Sequence, residues 1–263
     1  MVSSQTIVSI TMSKNSKKLE LAVGIIFLLA IWQIVASGVG NFNIFPTPLA
    51  VLIAFKRIVT KTDFIATVFF TLFRVVVSLS ISFILAVILG FFSVNNKYIK
   101  AALSPLVSIM KATPTIAITV QLIIWLGPYQ APSAVGFIIV FPILYSAVLE
   151  GISNVDPEIL EMADIYNIPN RLRVKKIYIP SVVSYLSAAL AGAIGLSMKV
   201  IISAEYISTT KYSLGNGIYY GFAYFNMDEV WAWAAIAIIT SAILEYPIML
   251  IKKRLCQWRE VDV

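Results

Sequence analysis

Six apolar runs constrain this chain more than any other feature. They are Leu21–Val39, Phe64–Val94, Ala101–Leu126, Ser133–Gly151, Ser181–Ile207 and Val230–Ile251. Each is long enough to cross a bilayer as a helix, which takes about 18 residues or more. Inside a bilayer every backbone polar group must be satisfied within its own segment, so runs of this kind fold as helices. The composition agrees: 59% of the residues are hydrophobic and 13% are charged, where a soluble domain carries about 25% charged residues. No polar stretch is long enough to bury a core of its own. The expectation is an all-α polytopic membrane protein with about six transmembrane helices, a single transmembrane domain over residues 1–263.

The charges orient these runs. Residues 1–18 are polar and place Lys14, Lys17 and Lys18 before the first run. A cleaved signal peptide begins in the same way, but this run is longer than a signal core and no soluble domain follows it. With the N-terminus inside, the inner loops and tails hold Lys14, Lys17, Lys18, Lys97, Lys100, Arg171, Arg173, Lys175, Lys176, Lys252, Lys253, Arg254 and Arg259, thirteen in all. The outer side holds four: Lys56, Arg57, Lys61 and Lys211. That asymmetry places both termini in the cytoplasm. It also accounts for the net charge of +7 without a nucleic-acid partner. The outer Lys56/Arg57/Lys61 cluster is the feature that fits this orientation least.

There is no histidine and one cysteine, Cys256. Imidazole catalysis, His-ligated metal sites and an internal disulfide are excluded, and no metal or cofactor is expected. An intramembrane enzyme would need paired carboxylates or a nucleophile beside a base. Glu205 and Glu245 are the acidic residues in the interior of the runs, Glu150 standing at the very end of the fourth, and there is no histidine to partner them. A stand-alone secondary transporter would show inverted repeats and midplane carboxylates, and the sequence displays neither.

The polar stretch Asp156–Pro180 breaks the pattern, with four acidic and four basic residues between two apolar runs. Asp156-Pro157 is a helix start. Glu158, Glu161 and Asp164 then recur every three residues beside an apolar face of Ile159, Met162, Ala163 and Tyr166. Asn167 suits the left-handed residue that ends many helices. A second short helix with Arg171, Arg173, Lys175 and Lys176 is expected before Pro180, which marks the entry to the fifth run. The result is a cytoplasmic two-helix loop over residues 152–179. Two readings stand on pattern alone: a solvated loop resting its basic half on lipid headgroups, or an element with a function of its own.

The spacing Glu161-Met162-Ala163, three residues, Asn167, nine residues, Ile177-Tyr178-Ile179-Pro180 resembles the cytoplasmic loop of permease subunits of binding-protein-dependent ABC importers. Met162, Asn167 and Ile179 depart from that family's Ala, Gly and Leu. Phe45-Pro-Thr-Pro48, Thr71-Leu-x-Arg74, Lys111-Ala-x-Pro114, Trp125-Leu-Gly127 and Ala204-Glu205 resemble its nitrate/sulfonate/taurine branch, and the similarity runs from about residue 30 to 255. The resemblance implies a type I importer permease fold. Its coupling loop would carry Glu161, Ala163, Asp164, Asn167, Ile177 and Pro180. It implies as partners a separate ATP-hydrolysing subunit, a second permease subunit (a homodimer), an extracytoplasmic substrate-binding protein and the lipid bilayer. The chain has no GxxxxGK[ST] of its own to hold ATP. The implied cargo is nitrate-, sulfonate- or taurine-like, or a thiamine or pyrimidine precursor.

Charges inside the membrane are functional candidates. Lys199, Glu205, Gln121 and Lys111 are the candidates for the pathway. Lys199 and Glu205 stand six apart and do not share a helix face. Arg74 and Lys111 each lie near the end of a run, where snorkelling to the interface is the simpler account. Small residues from Ser187 to Ser197 suit close helix packing. Glu245 reads as a structural hydrogen-bonding group, and the aromatics of 219–225 as an interfacial belt in an interfacial or re-entrant segment.

Overall fold

The computed structural model describes the backbone of residues 14–41 and 43–256, and side chains within 19–41 and 43–246. Among the described residues the regular structure is helical. The elements are α1 (Lys14–Val39), α2 (Pro48–Val59), α3 (Phe64–Asn95), α4 (Lys97–Ala112), α5 (Thr115–Leu126), α6 (Ala131–Ser153), α7 (Pro157–Ile165), α8 (Asn170–Arg173), a π turn (Val174–Tyr178), α9 (Ile179–Ser208), α10 (Leu214–Ala223) and α11 (Met227–Cys256). Lys14, Lys17, Lys18, Lys252, Lys253, Arg254 and Arg259 carry expectations about charge that lie outside the described side chains.

The core is a three-helix contact in which α6 packs against both α3 and α9. Val140, Leu144 and Val148 of α6 are buried with Val75 and Ala86 of α3 and with Ile194, Met198 and Ile201 of α9. Lipid supplies no hydrophobic force between helices, so close approach at small residues carries the contact. Gly90 meets Val148 closely enough that an added Cβ would lie 2.6 Å from its Cγ1. A Cβ on Gly136 would lie 2.6 Å from Ser78 Oγ and 2.8 Å from Ile201 Cδ1. Gly136→Val therefore wedges three helices apart at once. It is expected to destabilise the purified protein by about 1–3 kcal/mol, read as a lowered midpoint of thermal unfolding in detergent.

The third run differs from expectation. Ala101–Leu126 is not one straight span but the C-terminal part of α4 followed by α5, bent by 104° at Thr113-Pro114. Proline drives the preceding residue out of the helical region, and Thr113 is extended at φ −74°, ψ 130°. Asn96 starts α4 by accepting from the N–H groups of Tyr98 and Ile99. The bent pair still crosses. The C-terminal end of α3 (Val94, Asn95), the end of α6 (Ile152) and Arg173 line one cavity, so α3 and α6 finish at the same end of the bundle. At the other end, Thr210 Oγ1, just beyond α9, donates to Pro128 O in the α5–α6 turn, 2.7 Å. The path between α3 and α6 thus travels the length of the bundle, and the six crossings expected from the runs are kept.

The Lys56/Arg57/Lys61 cluster has its partners at that second end. Arg57 in the last turn of α2 pairs with Asp228 and Glu229 in the first turn of α11, 3.2 and 2.9 Å, and Lys61 approaches Glu229 at 3.9 Å. Cations at a helix C-terminus and anions at an N-terminus are each favoured by the helix dipole. Two of the three cations are thus paired with carboxylates of α11. Trp32 of α1 stacks beside Trp231, 5.2 Å between centroids, and its Nε1 donates to Pro46 O at 2.9 Å. The rest of α1 stands away from the bundle, with most of its apolar side chains exposed. The segment after α9 contains α10, a helix of 10 residues packed on α9 and α11.

Candidate functional site

Two places hold the candidate residues: the polar loop between α6 and α9, and the charges within the bundle.

In the loop, α7 begins as its sequence dictates. Asp156 accepts from the N–H of Glu158, 2.9 Å, and Pro157 takes the first turn, where its missing N–H is not needed. It ends on Asn167, whose φ is +47°. The N–H of Ile168 donates to Ala163 O at 2.9 Å and that of Asn167 to Asp164 O at 3.0 Å. This pair of bonds is the Schellman ending, in which a left-handed residue lets the chain turn back on the last carbonyls. Asn167→Ala should weaken it by about 1 kcal/mol, because alanine lacks the polar side chain that eases the left-handed conformation. The loss would show as faster amide exchange over 163–168.

The strongest tie in the loop is Arg173, which sequence reasoning did not separate from the other three basic residues. Its Nη2 donates to Ala163 O at 2.8 Å and its Nε to Ile168 O at 2.7 Å, while Nη1 pairs with the Asp164 carboxylate. One guanidinium holds both carbonyls of the α7 ending and its acidic side chain, a use of the planar fork that lysine cannot copy. The second helix also differs from expectation. It is not a separate short helix: α8 runs through the π turn into α9, an unbroken helical stretch from Asn170 to Ser208. Pro180 sits inside this stretch rather than at its entry. A proline cannot donate to the carbonyl four residues back and its ring presses on it. The chain widens into the π turn directly ahead, where Ile179 N–H reaches back five residues to Val174 O. At the base of the loop Ser181 Oγ donates to Gly151 O, 2.6 Å, joining the ends of α6 and α9. Through Arg173, α7 is thereby tied to the helical stretch that continues into α9.

The apolar face of α7 points outward. Only Ala163 is buried; Ile159, Met162, Ile165 and Tyr166 are exposed, the last two by about three quarters. Glu161 is exposed, Ile177 is half-buried and Pro180 is exposed.

Within the bundle, Arg74 is not snorkelling. It is 7% exposed, and its Nη1 meets Glu205 Oε1 at 2.8 Å. Thr71 Oγ1 lies 2.9 and 3.0 Å from the two carboxylate oxygens and donates to one of them. The N–H of Gly215 donates to Glu205 Oε2 at 3.2 Å, and the N–H of Leu214 to Thr71 Oγ1 at 3.0 Å. Glu205 is fully enclosed, so the structure removes it from the pathway candidates. It is a clasp that joins α3, α9 and the N-terminus of α10. Only glycine fits at 215, where a Cβ would lie 2.4 Å from Ile202 O. The signal was present in sequence as two motifs, Thr71-Leu-x-Arg74 and Ala204-Glu205, but nothing local connects them.

Lys111 is also not at a span end. It occupies the last turn of α4, at the break, and its Nζ donates to Ser146 Oγ of α6 at 2.8 Å. A cation in the last turn of a helix is favoured by the helix dipole. Gln121 is exposed on α5. Lys199 is exposed on α9 and lines two cavities: one of about 590 Å³ against α5, and one of about 310 Å³ against α11. Lys199 and Glu205 do not meet, as their spacing required.

Comparison with known proteins places this geometry. The chain is similar to the putative aliphatic sulfonates transport permease protein SsuC of Bacillus subtilis (strain 168), at 20% identity over 88% of this chain and 84% of that protein. It is similar to the nitrate import permease protein NrtB of Synechocystis sp. (strain PCC 6803 / Kazusa), at 27% identity over 73% of each. Its fold matches a chain of a crystal structure of an amino acid ABC transporter with histidines, at a TM-score of 0.62 and 17% identity, over 73% of this chain and 94% of that one. The profile of one family of transport permeases matches residues 82–257, more than half of the chain. The protein is a multi-pass membrane protein of the ABC importer permease type, and it belongs to the family of binding-protein-dependent transport system inner membrane components.

Proposed function

We propose that the chain forms half of a translocation pathway for a small anionic solute, and that α7 couples this pathway to a separate ATP-hydrolysing subunit. The observation that carries the proposal is the outward turn of Ile159, Met162, Ile165 and Tyr166 on a helix strapped to α9 by Arg173. Exposed apolar groups on a polar loop are a docking surface, and a rigid strap converts motion of the docked partner into motion of a span. The end of the bundle that carries α7 faces the cytoplasm, where Lys97, Lys100, Arg171, Arg173, Lys175 and Lys176 gather. The second half of the pathway is another copy of this chain, and α1, which stands apart from its own bundle, is free to pack on it. An extracytoplasmic binding protein delivers the solute to the opposite end, the one that carries α10.

Lys199 favours an anion as cargo. Among the described residues the α5-side cavity has that ammonium in its wall and no carboxylate. Sulfonate and nitrate are named for two of the similar permeases. The test is co-expression with the ATPase subunit and binding protein encoded alongside, followed by uptake into ATP-loaded proteoliposomes. Uptake of nitrate or of an aliphatic sulfonate that requires all three proteins and ATP is the expected result. Import by this chain without an ATPase would refute the coupling role, and import restricted to a neutral pyrimidine would refute the anionic cargo.

A further inference from the structure

Lys199 is a membrane-embedded cation between two different environments. Toward α11 it shares the cavity of about 310 Å³ with Glu245, Ser241 and Met198. Glu245 fits there because α9 has a glycine opposite: a Cβ on Gly195 would lie 2.9 Å from Glu245 Oε1. Gly195 is about one helical turn before Lys199, so the α9 backbone beside the Glu245 carboxylate is about 6 Å along the axis from that of Lys199, within the reach of a lysine side chain. Glu245 accepts a hydrogen bond from Ser241 Oγ at 3.1 Å. Among the described residues it forms no ion pair with Lys199, and Lys199 Nζ donates to no acceptor. Toward α5 the cavity of about 590 Å³ is lined by Thr115, Thr119, Ser203 and Tyr206 as well as Lys199. Thr119 and Ser203 donate their hydroxyl protons to carbonyls of their own helices, Thr115 O and Lys199 O. The hydroxyls of Thr115 and Tyr206 have no acceptor among the described residues. One side therefore offers a carboxylate, the other a set of donors with no negative charge.

We propose that Lys199 is a two-position cation: Glu245 is its counter-ion while the pathway is empty, and an anionic group of the solute in the α5-side cavity draws the ammonium away and replaces Glu245. An unpaired charge in the bilayer is costly, and a flexible four-carbon stem lets one ammonium serve two partners. Thr115 and Tyr206 then supply the remaining donors to the anion. The carboxylate of Glu245 acts as a competitor, which keeps the pathway neutral when empty and sets how strongly an anion must bind to enter. This inference rests on the permease reading above, but its test does not depend on transport.

The test uses the assembled transporter in nanodiscs, in a Cys256→Ser background with Ser203→Cys as reporter. Two thiol reagents of opposite charge are compared, the anionic sulfonatoethyl and the cationic trimethylammonioethyl methanethiosulfonate. The parent is expected to react faster with the anionic reagent. Lys199→Gln should lower the anionic-to-cationic rate ratio by about tenfold, the effect of one nearby charge at intermediate dielectric. Glu245→Gln should raise it severalfold, because Lys199 is released toward α5. In the Lys199→Gln background Glu245→Gln should change little, since its action goes through the lysine. Lys199→Met is the second neutral variant should Lys199→Gln not assemble. Additive effects of the two substitutions, an unchanged ratio in Lys199→Gln, or a reporter thiol inert to both reagents would each overturn the proposal. A transporter that imports solute yet shows additive effects keeps the permease reading and loses the paired charges; the reverse result separates them the other way.

Discussion

Glu205→Ala is expected to cost the protein about 3–5 kcal/mol of stability, because it leaves the Arg74 guanidinium buried and unpaired. Arg74 is 7% exposed and Glu205 is fully buried, so water cannot replace the lost partner. The carboxylate also accepts from the Thr71 hydroxyl and from the N–H of Gly215, and each orphaned buried group adds a desolvation cost of about 1–3 kcal/mol. For a chain of this size the change corresponds to a fall in unfolding midpoint on the order of ten degrees. Glu205→Gln keeps an acceptor for Thr71 and Gly215 but not the charge, and should fall between. The double change Arg74→Met/Glu205→Leu removes both charges and should be less damaging than Glu205→Ala alone, since a buried ion pair barely recovers its own desolvation. It still leaves Gly215 N–H without an acceptor, so α10 should loosen. Amide exchange at 214–217 in the double variant reports this directly. A midpoint for Glu205→Ala within a degree of the parent would show that the clasp does not hold the bundle.

The clasp also marks where the sequence stopped being readable. The spans were legible because bilayer thickness sets a length that apolar runs must meet. The ends of α7 were legible because capping is local: Asp156 and Asn167 each act on backbone within five residues. Arg74 and Glu205 are 131 residues apart, and each alone fits a snorkelling side chain or a pathway charge. Only the packing of α3 against α9 distinguishes those roles. Lys199 is legible in part: its spacing excluded Glu205 as a partner, but its neighbours on α5 and α11 come from the fold. The bend at Thr113-Pro114 had a local signal in the proline. A mean over an apolar window is blind to direction, so Ala101–Leu126 reads as one span although its path turns by 104°. The union of α8 with α9 was hidden by the reverse error. Pro180 reads as a boundary, yet a π turn of five residues absorbs it. Among Arg171, Arg173, Lys175 and Lys176 no rule of spacing selects Arg173; it is chosen by where the Schellman ending leaves two carbonyls.

That ending supports the second large effect, from Asn167→Pro. Asn167 is held at φ +47°, and proline is confined near −65°. The substitution also removes the N–H that donates to Asp164 O. The chain can no longer reverse after Tyr166, so Ala163 O and Ile168 O leave the positions in which Arg173 holds both. Strain at the turn and loss of the strap act on the same joint. Helix α7 keeps its own first turn, capped by Asp156, and the six crossings do not depend on it. The expected phenotype is therefore selective: normal insertion and folding of the bundle, with ATP-driven uptake reduced at least tenfold, a coupling loss of about 1.4 kcal/mol or more. ATPase activity of the partner should persist without responding to the binding protein. Glu161→Lys, which reverses an exposed charge on α7 and leaves the joint intact, should lower uptake through weaker docking, so a pull-down of the ATPase subunit separates the two variants. Asn167→Pro should retain the partner and Glu161→Lys should release it. Normal uptake in Asn167→Pro would mean that α7 is not the element through which ATP hydrolysis reaches the spans.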